Sequence, residues 1–257
     1  MSIYEHYRKD EHAFVDQVVD WKSLVELEYR SKITDFLDPR QQKMLLSLIG
    51  NSDEVNVSFW GGHESAERKR ALLYPDYLTP KKDDFQVCAF ELHYPSKFVT
   101  IEHPQILGSL MSIGMKRDKF GDILSKEGRF QIIMSQEVAD YILVNFQSVG
   151  KAKIELEPIP DDQVIEQVKM LEESFVTVSS MRLDTVISEA FRISRSKVKP
   201  QIVSESVKVN WKVVVDPSYQ LEEGDVLSMK GQGRCELMEK NGETKKGKQR
   251  LVLGFPK

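Results

Sequence analysis

The side chains with the clearest chemistry lie between residues 180 and 257. Arg182, Arg192, Arg195, Lys197 and Lys199 gather close together in the chain, with Asp184 and Ser194 among them. Arginine offers a planar fork of donors that fits phosphate oxygens, and lysine a compact charge. Ser180 and Ser194 stand as N-caps at the heads of two helical patterns. Two helix N-termini with arginines beside them form a place to hold phosphate. In that scheme Asp184 orients the arginines or caps locally. The competing description is a surface ion pair between Arg182 and Asp184, worth about 0–1 kcal/mol. Further on, Asn210, Trp211 and Lys212 set an amide, an indole and a charge side by side, a set suited to an unpaired base. Arg234 adds another cation.

The elements that must position these groups follow from periodicity. Leu183, Val186, Ile187 and Ala190 recur at helical spacing, and Arg192-Ile193-Ser194 breaks the pattern. A second helix starting at Ser194 turns Val198 and Ile202 inward, and Pro200 is expected to kink it. Val207 to Val214 alternates around a two-residue turn, Asn210-Trp211, which predicts a hairpin. Such a turn demands φ > 0, which suits Gly and not Trp. The expected compensation is packing of the indole over Val213 or the second helix, or stacking on RNA. Gly231 to Arg234 is a basic turn, and Arg234–Lys240 with Gln249–Gly254 forms another hairpin. At its tip Lys245, Lys246 and Lys248 are either solvated or secondary phosphate contacts.

Residues 1–75 read mostly as helix. Phe14, Val18, Trp21 and Val25 form one stripe, while Asp38-Pro39 opens and Gly50 closes a second helix. Glu54–Trp60 alternates as a strand. The segment Gly61 to Arg70 reads as a glycine turn leading into a charged helix. Its Arg68, Lys69 and Arg70 are secondary RNA contacts or a solvated face. His63, Glu64 and Glu67 lack a further ligand for a metal, and the segment lacks the ending of a nucleotide-binding loop. No metal and no cofactor is expected. Residues 76–160 follow the order strand–helix–strand–strand–helix–strand, a ferredoxin-like domain. RNA-recognition motifs share this order, but Glu127 to Ile133 holds a single aromatic, Phe130, so packing or a modest RNA surface is expected of this sheet rather than base stacking. Residues 161–179 read as a linker, with an amphipathic helix over Asp161–Glu173. The predicted class is α+β: a helical N-terminal region, a ferredoxin-like middle domain and an RNA-binding domain over 180–257.

Composition agrees with this division. The whole chain has a formal net charge of -4, yet residues 180–257 hold 15 Lys and Arg against 10 Asp and Glu, leaving 21 against 30 in the rest. A basic tail on an acidic body is a nucleic-acid-binding distribution. No apolar run approaches the roughly 20 residues of a membrane-spanning helix. The charged N-terminus is unlike a secretion signal. Cys88 and Cys235 stand apart from each other, which predicts a reduced, cytoplasmic protein.

Four ordered pieces resemble the RNA-binding domain named after small-subunit ribosomal protein S-four: Arg182-Leu183-Asp184, Ser194-Arg195-Ser196, Val207–Asn210 and Glu223-Gly224-Asp225. Across nearly its whole length the chain resembles the bacterial YlmH family, the segment Gly61 to Arg70 and the turn Gly231 to Arg234 being characteristic. The resemblance implies binding to ribosomal RNA and tRNA on the large ribosomal subunit. Relatives such as heat-shock protein fifteen hold peptidyl-tRNA on subunits freed from stalled translation. A monomer partnered by a translation quality-control factor is the corresponding expectation. Two alternatives stand beside it. One is an RNA-modifying enzyme, because pseudouridine synthases carry their catalytic aspartate in an Arg-Leu-Asp context. The other is an interaction scaffold linked to cell division.

Overall fold

The computed structural model describes residues 3–50, 54–166, 171–244 and 247–256. The chain divides into two compact units, residues 1–167 and 168–257.

The first unit begins with helix α1 (His12–Glu28), strand β1 (Lys32–Leu37), helix α2 (Pro39–Ile49) and strands β2 (Val55–Trp60) and β3 (Lys69–Pro75). The Asp38 carboxylate accepts the Gln41 N–H at 2.9 Å while the Gln41 side chain accepts the Asp38 N–H, so α2 starts with a reciprocal cap. Val18, Val25, Leu45 and Ile49 from the helices pack on Val55, Ala71 and Leu73. The region thus carries the two expected helices and also a three-stranded antiparallel sheet, order β1-β3-β2. The charged helix expected after Gly61-Gly62 is instead a turn running into β3. Gly61 admits no side chain, since a Cβ there would lie 2.4 Å from the Arg68 carbonyl oxygen.

The same unit continues with β4 (Val87–His93), α3 (His103–Ser112), β5 (Phe120–Lys126), β6 (Arg129–Ser135), α4 (Gln136–Asn145), the short pair β7 (Ser148–Val149) and β8 (Ala152–Lys153), and β9 (Glu155–Ile159). The sheet order β5-β6-β4-β9, antiparallel throughout, is the ferredoxin-like arrangement. Phe90, Leu92, Phe130, Ile132 and Met134 face the helices and make one core with Ile106, Leu110 and Ile142. The opposite face is covered by this chain. Phe36, Val164 and Ile165 pack on Ala89, Leu124 and Ile133. Gln131, fully buried, donates to Glu91 and to the Gln163 carbonyl and accepts from the Ile165 N–H at 2.6 Å. Phe130 is therefore a core residue, and the face an RNA-recognition motif would present is closed.

The second unit holds β10 (Leu171–Val178), α5 (Leu183–Ala190), α6 (Arg195–Val203), β11 (Val207–Val209), β12 (Lys212–Val213), β13 (Val226–Met229), β14 (Gly233–Glu243) and β15 (Gln249–Pro256). The linker helix expected over Asp161–Glu173 is absent from the described residues: Asp161–Gln163 is one 3-10 turn, and β10 begins at Leu171. Eight residues of β10 pair with β15 without a break, giving a six-stranded sheet, order β10-β15-β14-β13-β11-β12. Leu183, Val186 and Ile187 of α5 and Val198 and Ile202 of α6 bury themselves against Val207, Leu227, Cys235, Leu251 and Leu253. Helix α6 runs through Pro200 to Val203.

Candidate nucleic-acid interface

The second unit brings Arg182, Arg195 and Lys199 onto one carboxylate. Helix α5 starts one residue after Arg182, which takes the N-cap position expected of Ser180. Asp184, in its first turn, is fully buried. Its Oδ1 accepts from Arg182 Nε at 3.1 Å, its Oδ2 from Arg195 Nη2 at 2.8 Å, and Lys199 Nζ lies 3.9 Å away. Thr185 Oγ1 donates to Oδ1 at 3.3 Å. Burial pushes the Asp184 carboxyl up, but the hydrogen bonds from Arg182 and Arg195 outweigh it and hold the group below the ordinary Asp range. This is no surface ion pair. The carboxylate is inside, while the side chains of Arg182, Arg195 and Lys199 remain 36%, 45% and 53% exposed. Three cations held on one anion leave two positive charges at the surface, aimed by a fixed centre.

The two helix starts are not equivalent. The first amides of α5 are taken: Leu183 N–H donates to the Tyr219 carbonyl and Asp184 N–H to that of Pro217. The start of α6 is open, with Ser194, Arg195, Ser196 and Lys197 all exposed. A phosphate therefore fits the α6 start better than the α5 start. Arg192, with φ of 54° where the chain turns between the helices, lies instead along β10.

The hairpin forms around the expected turn. Both turn residues have φ > 0, Asn210 at 50° and Trp211 at 65°. Left-handed backbone costs a bulky residue roughly 1–2 kcal/mol. The Arg234 guanidinium lies on the indole, 5.9 Å from the ring centroid. The Asn210 amide is committed to structure: it donates to Asp225 at 2.7 Å and accepts the Val226 N–H at 2.9 Å, pinning the turn to β13. Lys208 went unnoticed in the sequence, although the alternation Val207-Lys208-Val209 turns it outward. It pairs with Ser228, and Ser228 with Arg234, so Lys208 and Arg234 share the solvent face of the sheet. Lys212 is half-buried and Lys248 exposed, while Lys245 and Lys246 lie outside the described residues.

The other basic segment overturns its expectation. Arg70 is 2% exposed, and its guanidinium donates to the Thr34 and Gln86 carbonyls at 2.7 and 3.1 Å. Arg68 donates to the Phe120 and Phe36 carbonyls at 3.1 and 2.8 Å. Burial lowers the pKa of both. Arg70 is thereby closed to solvent, and Arg68, half-buried like Lys69, is anchored on main chain rather than standing on a solvated face. His63 Nε2 sits 3.4 Å from Asp122, whose carboxylate also accepts the Glu67 and Arg68 amides. The segment Gly61 to Arg70 stitches the two sheets of its unit together.

Comparison with known proteins finds family models over both units, and the one over the middle domain is described as RNA-binding although one face of that sheet is covered. Residues 10–78 match a family model described as "YlmH, N-terminal", residues 80–163 one described as "Putative RNA-binding domain in YlmH", and residues 181–227 the S4 domain. The chain is 47% identical over 252 residues, 98% of each chain, to "Ribosome-associated protein quality control protein P2" of Bacillus subtilis (strain 168). The chain belongs to the YlmH family. The solved structure of the YlmH cell division protein from Streptococcus pneumoniae covers 64% of this chain and 100% of its own, with 33% identity and a TM-score of 0.55. The S4 match begins at Met181 and takes in the whole Asp184 cluster together with the Asn210-Trp211 turn.

Proposed function

We propose that this YlmH-family protein is a non-catalytic RNA-binding factor that attaches to ribosomal RNA and tRNA on the large ribosomal subunit and steadies peptidyl-tRNA while stalled ribosomes are cleared. The observation that carries this reading is the buried Asp184 with its three surface cations beside the open start of α6. Such an arrangement suits phosphates at a fixed spacing. The S4 domain and the printed name of the B. subtilis relative support ribosomal RNA as the ligand. Attachment to ribosomes places the protein in the cytoplasm, acting as a monomer alongside a translation quality-control factor. The contacts assigned are Arg182, Arg195, Lys197 and Lys199, with Lys208, Trp211, Lys212 and Arg234 on the hairpin side.

The enzyme reading has little support. The aspartate in the Arg-Leu-Asp context is fully buried and shared among Arg182, Arg195 and Thr185, so it is not placed to attack a base. The test is binding of the full-length protein to isolated large subunits, with and without peptidyl-tRNA. Arg195→Ala should weaken binding about tenfold, equivalent to about 1.4 kcal/mol. Undiminished binding by a folded Arg195→Ala protein removes the cluster from the interface.

A further inference from the structure

The sheet of the second unit ends in two unlike edges. At one side β12 is two residues long and presents Lys212. Short edges and lysines discourage unwanted pairing. At the other side β10 is eight residues long and pairs with β15 in unbroken register from Leu171↔Pro256 to Val178↔Gln249. It contains no proline, lysine or bulge. In an antiparallel pair alternate residues turn their N–H and C=O away from the partner. About half of β10 therefore presents main-chain groups outward over roughly 27 Å. Among the described residues, none of the backbone hydrogen bonds outside regular pairing involves residues 171–178.

This edge borders a groove of about 570 Å³, closed on its far side by the end of α5. Val176, Ala190 and Phe255 supply its apolar lining, and Glu172, Glu189 and Arg192 its charge. Glu173 and Phe175, the latter 73% exposed, alternate onto the other face of the strand, at the rim of the groove. A strand edge beside a helix, with apolar floor and charged rim, is the geometry by which extended peptides are added to sheets. Glu172 and Glu189 against the single Arg192 favour a cationic occupant over RNA, and the measurements below separate it from a second copy of this strand.

We propose that the open edge of β10 is a docking site for an extended basic segment of another protein, taken up by strand addition. Its main chain pairs with β10, and its lysines or arginines meet Glu172 and Glu189. The assignment rests on the β10 edge and the end of α5, whereas the RNA site rests on the starts of α5 and α6.

The test uses the full chain and a labelled nonapeptide of alternating Lys and Val, titrated by fluorescence anisotropy at about 0.15 M salt. Saturable binding is expected, with slowed amide exchange concentrated in residues 171–178. The same peptide N-methylated at alternate residues keeps its charge but loses main-chain donors, and should bind at least about tenfold more weakly. The double variant Glu172→Lys/Glu189→Lys should show a similar loss, and a peptide with Glu in place of Lys should not bind. Absence of saturable binding, or equal binding of the N-methylated peptide, overturns the proposal. So does dimerisation through residues 171–178 without peptide, which would make a second copy the occupant.

Discussion

Two sets of arginines, each written into the sequence as a short basic segment, have opposite fates. Arg68 and Arg70 point inward and spend their donors on the carbonyls of Phe36, Phe120, Thr34 and Gln86. Arg182 and Arg195 touch a buried carboxylate with one side of the guanidinium and leave the rest at the surface. The difference lies in the partner. Main-chain carbonyls from several strands surround an arginine and make it a strut. A single aspartate beneath the surface holds its arginines from behind and presents them. A count of basic residues cannot separate these cases, because Arg117, between the same sheets, is also a strut: burial and the neighbouring Arg68 push its pKa down to about 10.

The largest expected effect falls on the strut. Arg70→Met leaves the Thr34 and Gln86 carbonyls without their buried donor and should destabilise the first unit by about 3 kcal/mol. RNA affinity per folded molecule should be unchanged. Urea unfolding followed by tryptophan fluorescence, with binding measured on the folded fraction, checks both halves.

Asp184→Asn should act on both properties. Losing the anion that three cations share is expected to cost about 2–3 kcal/mol and to let Arg182 and Arg195 wander. The pH dependence follows from the depressed carboxyl. Its contribution is fully present above the ordinary Asp value and is lost as pH falls through the lower folded-state value. The wild-type protein should therefore lose stability on acidification below about pH 4, and the Asn variant should show a shallower loss in the same window. Identical acid limbs in thermal melts would detach Asp184 from the stability of the unit.

Trp211→Gly carries the smallest expected effect on stability. Relief of the left-handed backbone, about 1–2 kcal/mol, is offset by the lost contact with Arg234, about 0.5–1 kcal/mol. A net gain of about 0–1.5 kcal/mol should appear in thermal melts. If the indole also stacks on a base, RNA affinity falls about tenfold in the same variant; unchanged affinity assigns Trp211 to packing alone.

Much of the fold was legible because its signals are local. Asp38, Pro39 and Gly50 bracket α2, and the alternation of Phe130, Ile132 and Met134 marks a strand buried on its helix side. Strand β3 was hidden for a physical reason. It is the centre of its sheet, and Arg70 to Leu73 are buried on both faces, so no alternation remains to be read. Strand β10 was hidden because Glu172 and Glu173 mimic the polar side of a helix, although its pairing with Gln249–Pro256 spans most of the unit. At the site, Arg182, Asp184 and Arg195 were visible as types. Asp184 was expected either to orient the arginines or to cap locally, and the choice between the two depended on α6 returning Arg195 to Asp184 across the turn at Arg192. Nor could the sequence show that the Asn210 amide is consumed by Asp225 and Val226.

The most direct test of the contrast between presented and buried cations is the salt dependence of RNA affinity. Each phosphate contact contributes about 0.7–0.9 to the slope of log affinity against log salt. For the full-length protein and large-subunit RNA, Arg195→Ala should lower that slope by about one contact, whereas Arg70→Met, measured on the folded fraction, should leave it unchanged. An unaltered slope for Arg195→Ala, or an equal fall for Arg70→Met, would contradict the account.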